Sequence, residues 1–486
     1  MADSRPLHVT IESNGQPWDR VRVRELSGRE TISQLFSFDL DVACDADHGL
    51  PEQALPGAEV CLVFEEGGEE IRRVHGLLGP IRDRLDGTGD HRTYGLRVVP
   101  RAFRLTLVET QEIYLGQSIP DILRSKLARQ DFGPDELELR LLDRYPAREI
   151  VVQYGESDLA FISRLTEHAG ISFFFEHRDG RDRLVFTDHP SGFRPAEQAE
   201  EVRFRPRGEA DDVFSIELVT DLAPTSFIVQ DYNYRTPQVD LAACFDIDSG
   251  NGGGIVEHGS HVKTPEEAER TARVRAEERL SRQRVYEGRS SRPALHAGSK
   301  TTLLEHPRLP GPEPLLLVEI EHRATFPVFS DEAGAGKAVY TNSFRAIPAG
   351  TPYRPPRRTP RPALHGVVTG IIQPGPGGEI GGVAQLDAEG RYTVQLHFDT
   401  APPGEQKASH PMRMAQPFAG SSYGMNFPLR PGTEVLVAFA NGDPDRPVIV
   451  GALYNATSPS PVATANATRN QIKSSSGAVF ELGSRS

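Results

Sequence analysis

Residues Gly420–Gly424 spell Gly-Ser-Ser-Tyr-Gly and fit the Gly-x-Ser-x-Gly pattern around a serine nucleophile. In that motif the serine lies on a strained turn between a strand and a helix, which exposes its hydroxyl group. Here Pro428 and Pro431 follow closely, and proline cannot continue a helix. We therefore expect a glycine-rich loop at this position and assign no catalytic residue.

Residues Gly334–Lys337 faintly resemble a phosphate-binding loop, in which backbone amides and a lysine hold a nucleotide. The match fails at both ends. Asp331 stands where the first glycine belongs, and Ala338 replaces the serine or threonine that binds magnesium. We interpret this stretch as the tip of a loop and expect no cofactor.

Residues Asp246–Asn251, with Glu257 at the far end, echo an acidic calcium-binding loop. The fifth position carries no side-chain oxygen, and the sixth is asparagine where the calcium loop needs glycine. His258 and His261 beside Glu257 form a weak metal cluster, but no thiol or further histidine accompanies them at a useful spacing. An ordinary acidic loop with solvated histidines is the simpler interpretation, so we expect no metal.

An arginine-rich stretch follows the capping box Thr264–Glu267, which has proline at the first helical position. Its arginines are interleaved with glutamates and comprise Arg270, Arg273, Arg275, Arg279, Arg282 and Arg284. The pattern predicts a helix that runs to about Tyr286, with salt bridges along a solvent-exposed face. Docking of an acidic partner is the alternative interpretation.

Composition places the chain among β-rich globular proteins. The 486 residues are 37% hydrophobic and 25% charged, and this length indicates about three or four domains. The 45 glycines and 39 prolines, spread between short runs of Val, Leu and Phe, favour strands joined by many turns. A net charge of -14 repels phosphate backbones and argues against nucleic acid as a partner.

The three cysteines, Cys44, Cys61 and Cys244, include no Cys-x-x-Cys pair. We expect them to be buried and reduced, without a disulfide or zinc site. The first residues lack the basic-then-apolar pattern of a signal peptide, and no apolar run is long enough to span a bilayer. We therefore expect that the protein is made in the cytoplasm and is not inserted stably into a membrane. If it leaves the cell, we expect it to do so without a signal peptide.

Apolar periodicity divides the N-terminal part of the chain into strands and helices. Alternation predicts strands through Leu7–Arg104, including one over Thr31–Val42. A helix is predicted after Ser118, with a proline in its first turn, and a second helix between Ser157 and Gly170.

Strand patterns return in the rest of the chain. Residues 184–348 are β-rich around the arginine-rich helix. The prolines of Tyr353–Pro362 favour a stiff extended linker, which its arginines keep solvated. Further strands lead to a hairpin of Val435–Phe439 and Val448–Val450, whose loop Asn441–Pro447 is dense in turn residues.

This hairpin resembles a known protein family. Glu434–Phe439 and Asn441–Asn455 look like the oligonucleotide/oligosaccharide-binding-type (OB-type) barrel of VgrG proteins, which form the spike of type VI secretion systems. Tyr154–Leu165 looks like a second signature, in the hub of the same family. Phe398 and Phe418 stand where tryptophan is usual, so a large aromatic residue is retained at both positions.

The resemblance implies a mainly β fold, with a hub of two β-barrel-like domains, α/β insertions, an OB-type neck and the start of a trimeric β-helix needle. Asn470–Leu482 looks like the first rungs of that needle, and we expect only its root here. The expected parts are a first hub barrel (1–105), an α/β insertion (106–183), a second hub barrel with one helix (184–352), a Pro/Arg linker (353–362), the neck (363–456), and a linker with the needle root (457–486).

The resemblance also implies a structural homotrimer without enzymatic activity, cofactor or metal. Its implied partners are a hexameric tube protein, a PAAR-type tip protein, baseplate proteins, and an effector cargo or its adaptor. Contraction of a sheath would secrete or inject the spike together with its cargo. The alternatives are the hub of a phage tail or of an extracellular contractile injection particle, and a spike with hydrolase activity, which would need a further catalytic domain.

Overall fold

The structure of the protein is a computed structural model. It describes residues 7–45, 47, 49–85, 91–206, 212–327, 338–374, 379–380, 382–384, 386–400 and 409–483. The phosphate-loop candidate Gly334–Lys337, together with Asp331, lies outside the described residues. No helix in the described part of the chain is both long and apolar enough to cross a bilayer.

The chain divides into two compact units, each assembled from separate stretches of sequence. The first unit comprises Met1–Val108, Leu123–Tyr145 and Asp158–Pro360. The second unit comprises Glu109–Ile122, Pro146–Ser157 and Arg361–Ser486. Sequence order alone therefore does not separate the two units.

Strands dominate the described residues. The strands as far as residue 203 are β1 (Leu7–Ser13), β2 (Gln16–Pro17), β3 (Val21–Thr31), β4 (Ser37–Asp45), β5 (Glu59–Glu66), β6 (Glu69–Arg84), β7 (His91–Val99), β8 (Glu109–Gln117), β9 (Leu137–Arg140), β10 (Arg148–Ser157), β11 (Ser172–Arg178), β12 (Arg181–Thr187), β13 (Arg194–Pro195) and β14 (Glu201–Arg203). The helices are α1 (Ile119–Ala128), α2 (Asp158–Ala169) and α3 (Pro265–Leu280).

The later strands are shorter on average. They are β15 (Val213–Thr220), β16 (Ser226–Gln230), β17 (Ala243–Asp246), β18 (Gly254–His258), β19 (Arg284–Ser290), β20 (Ser299–Leu304), β21 (Glu313–Thr325), β22 (Val339–Pro348), β23 (Val367–Ile372), β24 (Glu379–Ile380), β25 (Val383–Ala384), β26 (Val394–Leu396), β27 (Ala419–Gly420), β28 (Tyr423–Gly424), β29 (Glu434–Phe439), β30 (Pro447–Leu453), β31 (Asn470–Lys473) and β32 (Val479–Leu482).

One large sheet organises the first unit. Its hydrogen-bonded path runs β15-β19-β22-β21-β3-β4-β7-β6-β5-β1-β2, and β20 connects β21 to β13 and β14. The pairing of β21 with β3, from Glu319 opposite Thr31 to Thr325 opposite Glu25, joins an N-terminal group of strands to a C-terminal group. The N-terminal and C-terminal groups of strands are therefore continuous at this joint.

Period-two burial in β4 confirms the predicted core face. Phe38, Leu40 and Val42 are buried, whereas Asp39 and Asp41 point to the other face. Successive side chains of a strand project to opposite sides of the sheet, so one alternating stretch supplies both a core face and a polar face.

The predicted helices are present, and capping residues set their ends. The Ser118 hydroxyl donates to the Asp121 carboxylate at 2.5 Å at the start of α1. Gly170 follows α2 with a φ of +73°, a left-handed conformation that glycine adopts at low cost. At the start of α3, the side chain of Thr264 accepts a hydrogen bond from the Glu267 amide.

The predicted extension of α3 to about Tyr286 is wrong, because the helix ends at Leu280. The Ser281 hydroxyl donates to the carbonyl oxygen of Glu278 at 3.0 Å directly after this end. Val285 and Tyr286 instead belong to β19, which is paired on both sides, with β15 and β22. Val285 and Tyr286 are a β-branched and an aromatic residue, which favour strands, and their pairing in the sheet outweighs the charge pattern that predicted a longer helix.

The single strand predicted over Thr31–Val42 is also wrong. β3 ends at Thr31, β4 begins at Ser37, and the two strands form an antiparallel pair. Between them, Ser33 has a φ of +63°, and its amide donates to the Phe173 carbonyl at 2.7 Å. Apolar residues continue through the turn, so periodicity alone does not reveal the reversal.

A small sheet with the order β17-β16-β18 packs against α3. Phe227, Val229 and Phe245 lie in the cluster formed with the alanines of the helix. Cys244 is the neighbour of Phe245 on β17 and is exposed. Cys44 and Cys61 are buried as predicted, but burial of Cys244 is a wrong prediction, because alternation places it on the outer face.

The second unit contains the predicted hairpin in the sheet β26-β23-β29-β30. Ala438 of β29 lies opposite Val448 of β30. Asn441 and Gly442 in the loop have φ values of 57° and 74°, which explains the turn residues at these positions.

The core of the second unit includes residues from distant parts of the sequence. Tyr392, Val435 and Ile449 of the C-terminal region share one buried cluster with Ile113 and Val152. These last two residues belong to the antiparallel ribbon of β8 and β10. The barrel core is thus completed by a ribbon that precedes it by more than two hundred residues.

Candidate assembly surfaces

The Gly420–Gly424 motif forms a hairpin. β27 and β28 pair antiparallel, with Gly420 opposite Tyr423, and Ser421 and Ser422 form the turn. Ser422 has a φ of +65°, which is unusual for serine. A strand follows this turn where a nucleophile elbow requires a helix, so the motif does not provide the geometry for acyl transfer.

Glu257 binds an arginine in the loop that was considered for calcium. Its carboxylate accepts from both Arg357 guanidinium nitrogens at 2.7 and 2.5 Å and from the Ser260 hydroxyl at 2.6 Å. Burial alone would raise the pKa of Glu257, but these hydrogen bonds lower the pKa overall. The Asn251 side-chain oxygen accepts from the Ala223 amide at 3.0 Å. Glu257 and Asn251, two of the candidate calcium ligands, therefore already have hydrogen-bond partners within the protein.

The two histidines of the weak metal cluster lie at and beyond the end of β18. His258 is the last residue of that strand and is exposed. His261 lies in the following loop with a φ of 62°. Because the Glu257 carboxylate is held by Arg357, it is not available as their common ligand partner.

The arginine-rich helix is not solely a solvent-exposed face, so this part of the prediction is wrong. Arg275 is buried, and its guanidinium donates to Glu278 at 2.9 Å and to the carbonyl oxygens of Glu167 and His168. Those carbonyls lie at the C-terminus of α2, where the helix dipole favours a cation. Arg270 instead lies over the Tyr145 ring, 4.2 Å from its centroid.

The Pro/Arg segment Tyr353–Pro360 is held against the rest of the first unit, so the prediction that its arginines keep it solvated is wrong for Arg354, whereas Arg357 and Arg358 are exposed. Arg354 is buried and donates to the carbonyls of Gly170 and Asp188 at 3.0 and 2.7 Å, and to the Glu277 carboxylate at 2.7 Å. We call this segment the strap.

A second contact attaches the far end of the strap. The Glu167 carboxylate accepts from the backbone amides of Arg358 and Thr359, both at 2.9 Å, and from the Thr359 hydroxyl at 2.8 Å. Glu167 lies in the last turn of α2 and is buried. Carboxylate and guanidinium contacts therefore fix the strap at both ends.

Replacing Arg354 by alanine is expected to lower the free energy of unfolding by about 2–3 kcal/mol, because it removes three charge-assisted hydrogen bonds and leaves buried acceptors unpaired. Trypsin should then cut faster after Arg357 and Arg358. Arg358→Lys is the matched control, since that residue contributes its backbone amide, its side chain is exposed, and lysine retains the trypsin site. Equal cleavage rates for Arg354→Ala and the unmodified chain would contradict the role of the strap.

A buried charged cluster joins the two strand groups of the first unit. Glu30 of β3 accepts from the Arg72 guanidinium of β6 and lies 2.9 Å from Nε2 of His322 on β21. Nδ1 of His322 lies 2.6 Å from the Tyr340 hydroxyl, which accepts from Asn342 at 3.1 Å. These side chains are buried, so each depends on its neighbours to compensate its lost hydration.

Electrostatics in this cluster favours a charged Glu30 and neutral histidines. Burial alone would raise the pKa of Glu30, but Arg72 and His322 lower the pKa overall. Burial lowers the pKa of His177, His296 and His322, and the positive charge of Arg72 acts in the same direction. The sequence gives no signal for this cluster, because its members are spread across distant strands.

Exposed aromatic residues mark the hairpin of β27 and β28 in the second unit. Phe418 and Tyr423 are exposed, and their ring centroids lie 5.2 Å apart. Met425 and Phe427, directly after the hairpin, are also exposed. Exposed apolar patches on soluble proteins frequently mark protein–protein contacts.

The terminal hairpin of β31 and β32 is apolar without a core of its own. Ile472 lies opposite Phe480, and Val479 and Leu482 flank this pair. All four side chains are exposed, by 47–61%. A two-stranded hairpin alone is marginally stable in water, so these side chains require a partner surface.

Family models match two parts of the chain. Residues 29–327, more than half of the sequence, match the phage tail baseplate hub (GPD) family. Residues 380–454 match the type VI secretion system/phage-baseplate injector OB domain. The second match contains the β29–β30 hairpin.

Two similar proteins are type VI secretion system spike proteins of Pseudomonas aeruginosa. VgrG1c is 29% identical over 464 residues, which cover 94% of this chain and 63% of that protein. VgrG4b is 31% identical over 487 residues, which cover 96% of this chain and 58% of that protein. The chain therefore spans less than two thirds of the length of either protein.

Among solved structures, an Escherichia coli protein matches with a TM-score of 0.66 and 24% identity, over 91% of this chain and 99% of that one. It is described as a component of the type VI secretion system with structural similarity to the T4 bacteriophage tail proteins gp27 and gp5. The predicted mainly β fold, with a hub and an OB-type domain, is confirmed. The chain belongs to the phage tail baseplate hub family, and the predicted resemblance to the VgrG spike proteins of type VI secretion systems is confirmed.

Proposed function

We propose that this chain forms the hub and neck of a homotrimeric type VI secretion spike, with a mechanical and not an enzymatic role. The observation that carries the proposal is the apolar terminal hairpin, in which Ile472, Val479, Phe480 and Leu482 are exposed. Three copies around one axis would bury these side chains against each other and pair the free edges of β31 and β32. This arrangement is the root of a three-chain β-helix.

The partners follow from this role. A hexameric tube protein and baseplate proteins would contact the hub, and a PAAR-type tip protein would close the needle. An effector cargo or its adaptor would travel with the spike. We propose that the protein is made in the cytoplasm and leaves it through the contractile apparatus, without a cleaved signal peptide. A phage-tail or extracellular particle would use the same parts, but the spike proteins among its relatives favour type VI secretion.

Rigidity is the property that this role demands. Sheath contraction supplies the work, so the spike must transmit force without deforming. The buried Glu30–Arg72 pair and the strap contact of Arg354 both connect strands and helices that are remote in sequence. Such buried, hydrogen-bonded pairs resist separation, because either partner alone would be left as an unpaired charge.

Native mass spectrometry of the 486-residue chain tests the assembly. The expected mass is three times 53.4 kDa. Ile472→Asp combined with Phe480→Asp should shift the distribution towards monomer, because charged groups cannot be buried at the trimer axis. Glu481→Gln on the same strand is the control and should leave the trimer intact. An unmodified chain that stays monomeric at micromolar concentration would contradict the proposal.

A further inference from the structure

A small pocket of the first unit contains a buried carboxylate without an ionic partner. The pocket has a volume of about 230 Å³ and is bordered by the turn that joins β1 to β2 and the turn that joins β11 to β12. Asp182, the second residue of β12, lines the pocket and is only 6% exposed. A buried carboxylate ordinarily requires a counter-charge, because it has lost its hydration.

Asp182 receives hydrogen bonds from backbone amides. Its Oδ2 accepts from the Arg101 amide at 2.6 Å, and the amide of Asp182 itself also contributes. Within the part of the chain that the structure describes, no arginine, lysine or histidine side chain forms an ion pair with this carboxylate. The nearby carboxylate of Glu136 is also buried, but it pairs with Arg101 at 3.1 Å and with Arg181 at 3.4 Å. The charge of Asp182 therefore lacks the compensation that Glu136 has.

The charged side chains around the pocket favour a cationic ligand. Each of the three guanidiniums that line the pocket already pairs with carboxylates. The pairs are Arg73 with Glu12 and Glu70, Arg101 with Glu59 and Glu136, and Arg181 with Glu136. Together with Asp182, five carboxylates surround these three guanidiniums, so the surplus charge is negative. An anion would be repelled here, whereas a cation would be attracted.

The thiol and the imidazole of the pocket do not form a metal site with Asp182. Sγ of Cys61 lies 3.9 Å from Nε2 of His75. However, the potential ligand atoms of these two residues and of Asp182 do not all lie within 4.8 Å of one another. Burial raises the pKa of Cys61 to about 11 and lowers the pKa of His75. Both side chains are therefore neutral near pH 7, and the expected ligand is an organic cation.

The size and the border of the pocket indicate a single inserted side chain. Pockets for whole small molecules usually enclose about 300–1,000 Å³, which exceeds the volume of this pocket. Gly15 and Gly180 stand at its border, with φ values of 71° and 76°. Apart from chain neighbours, no atom lies within 4 Å of the position that a Cβ would take at either glycine. The border is therefore low, so the surface of another protein can approach closely.

Arginine suits this pocket better than lysine. A guanidinium is planar, is hydrated more weakly than an ammonium group, and presents several N–H donors in a fixed geometry that matches carboxylates. Asp182 offers a carboxylate inside the pocket, and Glu59 offers a second carboxylate that is 64% exposed at the border. One guanidinium has enough donors for both. Arginine is also among the residues that contribute most to binding in protein–protein interfaces.

We propose that this pocket binds the guanidinium group of an arginine on a partner protein, with Asp182 as the carboxylate that receives it. The inference goes beyond the mechanical role proposed above and does not depend on trimerisation. The partner is a different protein and not another copy of this chain. A copy carries the same net charge of -14, so charge complementarity favours a more basic protein.

A purely structural role for Asp182 is the competing explanation. The Arg101 amide that it accepts from belongs to the first residue of the short 3-10 helix Arg101–Thr106, so the carboxylate also acts as a cap. Capping of this kind needs an oxygen acceptor but neither a charge nor a ligand. The two roles therefore differ in their dependence on the charge of Asp182.

Saturation-transfer difference NMR of the 486-residue chain tests the binding, because it detects weak ligands of large proteins. The probe is Nα-acetyl-arginine methylamide, which represents an arginine within a protein chain. The matched control is the citrulline analogue, which has a similar shape and no charge. The citrulline probe should bind at least about tenfold more weakly, because it leaves Asp182 without a counter-charge. Equal binding of the two probes, or no binding of the arginine probe, would overturn the proposal.

Asp182→Asn retains an oxygen that can accept from the Arg101 amide and removes only the charge, so the fold should be kept. The arginine probe should bind to this variant at least about tenfold more weakly than to the unmodified chain. Asp179→Asn in the same turn is the matched control, because Asp179 is 84% exposed and should not affect binding. Equal affinities for the two variants would contradict the proposal. In native mass spectrometry, a shift of Asp182→Asn towards monomer would identify a second copy as the source of the arginine and overturn the assignment to a different protein.

The pH dependence of binding provides a second test, which needs no variant. Burial raises the pKa of Asp182 to about 7, and a bound guanidinium would lower it, so below pH 7 the carboxyl group must release a proton when the probe binds. The arginine probe should therefore bind about tenfold more tightly at pH 8 than at pH 6. Affinity that does not change with pH would overturn the proposal. The charged and titratable groups around Asp182 are Arg101, Glu136, Arg181, Arg73, Glu12, Glu59, His75 and Cys61.

Discussion

Replacing Arg72 by alanine is expected to lower the free energy of unfolding of the first unit by about 3–5 kcal/mol, the usual effect of breaking a buried ion pair. Arg72 is buried, donates to Glu30, and also donates to the carbonyls of Pro293 and Leu295, both at 3.3 Å. Its removal leaves the Glu30 charge buried beside His322, without the guanidinium that compensates it. The substitution also leaves a cavity between the two groups of strands.

Urea unfolding followed by tryptophan fluorescence measures this effect. Trp18 is the single tryptophan of the sequence and is buried in the first unit, so it reports on the correct unit. Arg97→Ala is the matched control. Its pair with Asp39 is closer to solvent and should contribute less than about 1 kcal/mol. Similar losses of unfolding free energy for Arg72→Ala and Arg97→Ala would show that burial does not determine how much an ion pair contributes to stability.

Acid is expected to destabilise the first unit steeply below about pH 6.5, the ordinary pKa of histidine. Burial lowers the pKa of His177, His296 and His322, so the unfolded chain binds more protons than the folded chain. Their stabilisation is complete above the unfolded pKa and is lost as the pH falls. Asp182 acts in the opposite direction, because burial raises its pKa to about 7.

The three histidines outnumber Asp182, so the net effect is an uptake of protons on unfolding, and each proton taken up lowers the unfolding free energy by about 1.4 kcal/mol per pH unit of acidification. Below the ordinary pKa of glutamate, protonation of Glu30 adds to the loss, because its pKa is lowered in the folded state. His296→Asn should make the slope shallower by about 1.4 kcal/mol per pH unit. Unfolding free energies that stay constant from pH 7.5 to 5 would show that these histidines are not buried as neutral groups.

Local signals explain why much of the fold could be predicted. Thr264 and Glu267 cap α3 through bonds that span three residues, and Gly170 ends α2 through its own φ. The hairpin around Asn441 and Gly442 likewise depends on neighbouring residues. Where a boundary depended on distant pairing, as at the end of α3 and at the turn after Thr31, the prediction failed.

Exposure was less predictable than secondary structure. The arginines of the strap and of α3 have the composition of solvated segments, yet Arg354 and Arg275 are buried. Each finds carbonyl oxygens at the end of α2, which no sequence window around either residue contains. A charged side chain is buried only where a partner compensates for its lost hydration, and here the acceptors are remote in sequence. Local composition therefore does not determine which arginines are buried.

The sequence alone determined the β-rich class, the helix caps, the OB-type hairpin and the family. These features depend on periodicity and on motifs that span only a few consecutive residues, so they can be read directly from the sequence. Only the tertiary structure decided that β21 pairs with β3, and that Glu30, Arg72 and His322 share one buried cluster. Both result from strand pairings between residues far apart in sequence, and such pairings are selected by the burial of whole sheet faces.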